Sequence, residues 1–90
     1  MNRRDAEDFA RREMLEEGET LRRAEPADPF VVALVELGGG GFENRAAQPS
    51  VVYRNRNSRL PSVARIATYG RSHYEVAARR FNRLVDEELA

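Results

Sequence analysis

Three spacings of apolar residues divide this chain. Ala6, Phe9, Ala10, Met14 and Leu15 recur every three or four positions, which predicts a helix over residues 3–17. Asn2 is its natural N-cap, and Asp5 stands three residues later as in a capping box. Opposite charges four apart at Glu7/Arg11, Asp8/Arg12 and Arg12/Glu16 support it further. The stripe is narrow, so this helix packs along one edge and faces water elsewhere. Gly18 ends or weakens it, and Leu21 belongs to a last turn before Glu25-Pro26.

The second spacing is an unbroken apolar run, Phe30 to Leu37. Asp28 at an N-cap, Pro29 at N1 and Gly38 at C′ are the punctuation of a short helix, which is the preferred reading. Three valines in so short a run argue instead for a buried strand, whose mate would be Ser50 to Arg54 across the loop Gly38 to Pro49. A two-stranded hairpin is marginal in water, so that alternative needs a third strand, taken from elsewhere or from another molecule.

The third spacing is the clearest. Tyr74, Ala77, Ala78, Phe81, Leu84, Val85 and Leu89 form one apolar face, and Ser72 with Glu75 reads as a capping box for a helix running to about Leu89. Ahead of it, Pro61 and Ser62 start a short helix, Val63 to Tyr69, closed by Gly70. The two form a helix-turn-helix-like hairpin. Between the helical ends, residues 38–59 are a Gly/Arg/Asn connector with an extended segment at Val51-Val52-Tyr53. The expected fold is therefore mostly α: one small domain of 90 residues with an acidic N-terminal helix (1–25), the connector (38–59, with a short β-hairpin 30–37/50–54 as the alternative) and a basic hairpin (60–90).

Composition narrows the functions. No run approaches the roughly 18 residues of a membrane span, and acidic residues stand where a signal peptide would be apolar, so a cytoplasmic chain, or one inside a particle assembled there, is expected. Without cysteine there is no disulfide framework and no thiolate chemistry. The single histidine, His73, is adjacent to Ser72 and so does not face it on a helix, which gives no catalytic dyad. The acids at 13, 16, 17 and 19 read as a solvated helix face rather than a metal site. Gly38 to Gly41 is not followed by the Gly-Lys-Ser/Thr of a phosphate loop and reads as a hinge or tight crossing. No enzymatic activity, cofactor, metal or small-molecule substrate is expected.

Charge adds one feature. Fifteen arginines balance fifteen acids and there is no lysine, yet residues 1–50 carry seven Arg against eleven acids (net −4), and residues 51–90 carry eight Arg against four (net +4). The two halves either satisfy each other within one fold or bind different neighbours. Together with an apparent shortage of core material, this favours an interaction or assembly protein: a minor structural, adaptor or cement component of a larger complex such as a virus particle, with a protein or a second copy as partner. Phe30, Val31, Leu34 and Leu37, with the Tyr74/Phe81/Leu84/Leu89 stripe, would form its core or docking surface, and Arg54, Arg56 and Arg59 would clamp acidic groups. The alternative is a small nucleic-acid-binding protein using Arg71, Arg79, Arg80 and Arg83 on the second helix of the hairpin. Charged Arg65 and Arg79 fall where that motif buries residues, which counts against it.

Overall fold

The computed structural model describes residues 1–52 and 61–89. It is an α+β domain and not a mostly helical one. The elements run α1 (Arg3–Glu13), β1 (Thr20–Ala27), β2 (Phe30–Glu36), β3 (Phe42–Val52), β4 (Pro61–Tyr69) and α2 (Tyr74–Arg83), which continues as a π-helical turn, Leu84–Glu88. The strands form one antiparallel meander in the order β1-β2-β3-β4.

Of the helices expected from sequence, the first and last are present. Asn2 caps α1 by accepting a hydrogen bond from the Asp5 amide at 2.8 Å. The helix stops at Glu13, and Leu21 lies in β1 rather than in a last helical turn. The N-cap of α2 is His73, one residue beyond the expected Ser72, and no side chain caps that end.

The two central expectations are corrected. Residues 30–36 are a strand, and its partners are β1 on one side and residues 42–47 on the other; of the expected mate 50–54, residues 50–52 end β3 and the rest lie outside the described residues. Val31, Ala33 and Val35 face α1, while Val32 and Leu34 face α2. A strand buried on both faces loses the alternation that would identify it and reads as a continuous apolar run. Asp28-Pro29, which resembled a helix start, is the two-residue turn between β1 and β2, with a cis peptide bond. The missing third strand comes from the chain itself, twice over.

The second correction removes the helix-turn-helix. Residues 61–69 are β4, which pairs along β3 from Pro61–Val52, across a register shift, through Val63–Ala47 to Tyr69–Phe42. Val63, Ile66, Thr68 and Tyr69 are β-branched or aromatic, and sheet packing outweighs the helix punctuation of Pro61 and Gly70.

One helix covers each face of the sheet. Phe9 and Ala10 of α1 and its C-cap Met14 pack on Ala24, Val31, Ala33, Val35 and Ala47. Ala77, Phe81 and Leu84 of α2 pack on Ala27, Val32, Leu34 and Phe42. The glycine run is a tight crossing between β2 and β3. Leu37 donates its amide to the Gly41 carbonyl (3.0 Å). Gly41 has φ +89°, and a Cβ there would lie 2.7 Å from the Tyr69 carbonyl oxygen, so only glycine fits beside β4.

Candidate interaction surface

The two edges of the sheet differ. The β1 edge carries Arg22, Arg23, Glu25 and Pro26 within eight residues, and proline and charge both oppose the addition of a further strand. A bulge between Leu21 and Arg23 turns Arg22 and Arg23 onto the α2 side. There the Arg22 guanidinium lies 4.5 Å from the Tyr74 ring centroid and that of Arg23 4.6 Å from the Phe81 centroid. Glu36 holds Arg22 at 2.8 Å, and Arg3 of α1 reaches Glu25 at 2.5 Å. This edge is twisted, charged and crossed by a side chain.

The β4 edge is less charged, although it too has a proline, at its first position, and a bulge. Among the described residues no strand pairs with its outer side. From Ser62 to Tyr69 its one charge is Arg65. A register shift leaves Ile66 as the extra residue of a bulge, and Ile66 packs toward the α2-side core. Arg65 is engaged on the α1 side, where it pairs with Glu16 and lies 3.6 Å from Glu43. Ser62, Ala64 and Thr68 are exposed.

Beside this edge, on the α2 side, runs an apolar shelf. The helix α2 packs on β2, β3 and β4 toward their Phe42/Tyr69 end, and at the other end, beside Leu89, it leaves a shallow groove of about 390 Å³ lined by Phe30, Ala46, Val51, Ala64, Ile66 and Leu89, among others. None of the described residues lining it is charged. Val51, near the end of β3, is an apolar side chain 48% exposed.

The α1 side of the same two strands holds a buried polar network. Arg45 is 1% exposed and binds both carboxylate oxygens of Glu19, at 2.6 and 2.7 Å. It also donates to the Met14 carbonyl at 2.9 Å and through Nε to Glu43 at 2.6 Å. The Thr68 hydroxyl donates to the other Glu43 oxygen at 2.8 Å. Hydrogen bonding and charge pairing with Arg45 hold the Glu19 carboxyl below its ordinary pKa against the opposing effect of burial. Glu19, then burial in the opposite sense, then Glu43 set the balance that raises Arg45. The network locks β3 and β4 to the end of α1, so the outer strand is held rigidly while its far side stays open.

The residues singled out from sequence are dispersed by the fold. Val31 and Leu34 are fully buried on opposite faces of β2, in the core. Leu37 is half-buried at the glycine turn, and Phe30 is half-buried on the shelf. Arg71 donates to the Gly39 carbonyl at 2.7 Å, and Arg80 pairs with Glu88 at 2.8 Å. Arg79 and Arg83 are exposed on α2. Arg54, Arg56 and Arg59 lie outside the described residues. Of the opposite charges in the two halves of the chain, Arg65 with Glu16 and Glu43 is the one described ion pair that joins them.

Sequence reasoning placed Glu19 on a solvated helix face and Arg65 in a helix, whereas Glu19 lies beyond α1 in a buried ion pair and Arg65 lies in β4; it missed Glu43, Arg45 and the β4 edge. Glu43 and Arg45 stand two apart, a signal that both share one face of a strand. Glu19 is 26 residues from Arg45, and nothing local links them. Among the described residues no helix is long and apolar enough to cross a membrane, and no group of three or more His, Asp or Glu is placed to hold a metal ion. No known family model matches the chain, and no curated protein and no solved structure is significantly similar to it.

Proposed function

We propose that this chain is a non-enzymatic interaction or assembly protein, a structural, adaptor or cement component of a larger complex such as a virus particle, and that it docks through β4. The observation that carries this reading is the asymmetry of the sheet edges. Natural proteins blunt exposed strand edges with charge, proline, bulges or covering elements. This one sets three charges, Pro26 within the strand and the Arg3 crossing on β1, and on β4 a single charge, turned to its own chain, beside an apolar shelf. A strand added there gains main-chain hydrogen bonds from the edge, and its alternate side chains reach the shelf, which is how β-augmentation combines affinity with specificity.

The test is incorporation. In extracts of the cells that naturally make the protein, the wild-type chain sediments with a large complex. Ser62→Lys with Ala64→Lys, at two exposed positions, moves it to the free fraction. Circular dichroism and thermal melting show that the double variant is still folded. Wild-type chain found only in the free fraction, or a folded double variant that still sediments with the complex, eliminates β4 docking.

A further inference from the structure

Building on the reading of β4 as a docking element, we infer that its first occupant is the β4 strand of a second copy, so that the unit of assembly is a closed, two-fold dimer with an eight-stranded sheet. Edge chemistry limits the occupant to an extended strand, since unpaired backbone groups in a row are satisfied by another such row. Three features select a second copy.

The first is closure. A chain with two open edges adds copies head to tail without end, whereas a chain with one open edge stops at two. Pro26 within the strand, the charges of Arg22, Arg23 and Glu25 and the Arg3–Glu25 crossing bar β1 from a heterologous contact with β4 of the next copy. Self-pairing of β4 is then the isologous solution that the guarded edge permits.

The second is charge. The chain has a formal net charge of zero, so two copies meet without the overall repulsion that keeps strongly charged proteins apart. Along β4 the single charge, Arg65, is turned to Glu16 and Glu43 of its own chain. Like charges directly opposite each other on neighbouring strands destabilise the pair. The two-fold axis therefore lies to one side of Arg65, within Ser62 to Ala64 or Ala67 to Tyr69.

The third is the shelf. The axis relating two antiparallel edge strands runs perpendicular to the sheet, which keeps both α2 helices on the same side. The grooves, whose described lining carries no charge, then adjoin, and Ala64 and Ile66 of each copy move from the rim of a sheet to its middle. A chain of 90 residues buries a smaller share of its surface than larger domains do, and pairing adds to that share.

The experiment uses the purified full chain and exploits its lack of cysteine. Light scattering coupled to size exclusion, across the micromolar range, gives twice the chain mass for the wild type, and Ala64→Lys halves it. Single substitutions Ser62→Cys, Ala64→Cys, Ala67→Cys and Thr68→Cys, oxidised mildly, yield a disulfide-linked dimer at the position nearest the axis. Thr20→Cys on the β1 edge and Ser72→Cys outside the sheet yield none. A wild type that is monomeric throughout overturns the dimer, as does a dimer unaffected by Ala64→Lys or cross-linking that is equally efficient from Thr20→Cys. A monomeric wild type that still enters the large complex overturns the dimer alone and assigns the edge to a strand from another protein. A dimer that never enters a complex upholds this inference and overturns the assembly reading.

Discussion

Arg45 and Glu19 form a two-pronged ion pair out of water: both guanidinium nitrogens Nη1 and Nη2 meet a carboxylate oxygen, at 2.6 and 2.7 Å, with the two side chains 2% and 7% exposed. The pair fixes the loop after α1 to the middle of β3. Through Glu43, which accepts from Arg45 and from Thr68, the same network reaches the outer strand.

Breaking a buried pair from one side leaves the other charge stranded, so Arg45→Ala is expected to lower stability by about 3–5 kcal/mol in urea denaturation. Arg65→Ala, which removes a half-exposed partner of Glu16, is expected to cost no more than about 1 kcal/mol. Equal losses from the two substitutions contradict the assignment of Arg45 as the centre of the network.

The pH dependence follows from Glu19. Its folded pKa is lowered by Arg45, so its contribution is fully present above the ordinary glutamate value of about 4.3 and is lost as pH falls through that value toward the lowered one. Thermal melts from pH 7 to 3 are expected to show the wild type losing stability on acidification below that value. Glu19→Gln is less stable at pH 7 and has a flatter profile. Parallel profiles for the two proteins contradict the linkage.

Gly41 and Gly39 stand two apart in the same turn and respond oppositely. Gly41→Ala combines a left-handed backbone with a Cβ 2.7 Å from the Tyr69 carbonyl oxygen, and about 1–3 kcal/mol of destabilisation is expected. At Gly39 an added Cβ meets nothing within 4 Å, and Gly39→Ala is expected to be neutral or stabilising by less than about 1 kcal/mol. Chemical denaturation of both variants decides whether the glycines serve the crossing or mere flexibility.

Asn44 is buried between the sheet and α2, donating to the Ala77 carbonyl at 3.1 Å while its Oδ1 has no partner. Asn44→Asp places an unpaired charge there, and a loss of about 3 kcal/mol or more is expected at pH 7, relieved as the carboxyl is protonated in acid. Asn44→Leu removes the unsatisfied acceptor and keeps the volume, so it is expected to be nearly neutral. A destabilised Leu variant assigns Asn44 an essential part in docking α2.

The amino-acid sequence by itself determined both terminal helices. Asn2, Asp5 and the Phe9/Ala10/Met14 spacing define α1, and Tyr74 to Leu84 define α2, because caps and a three-to-four period are local properties of a chain. It also placed the glycine crossing and excluded thiolate chemistry. Tertiary structure alone decided the sheet. Phe30 to Glu36 has one helix-like and one strand-like reading, and what separates them is cover on both faces, supplied by residues as distant as Phe9 and Phe81. Val63 to Tyr69 becomes a strand because β3 lies beside it, and the pairing of Glu19 with Arg45 exists only once the meander has closed. The candidate surface was invisible for the same reason. A sheet edge is defined by which strand has no neighbour, and that is settled when every other strand has found one.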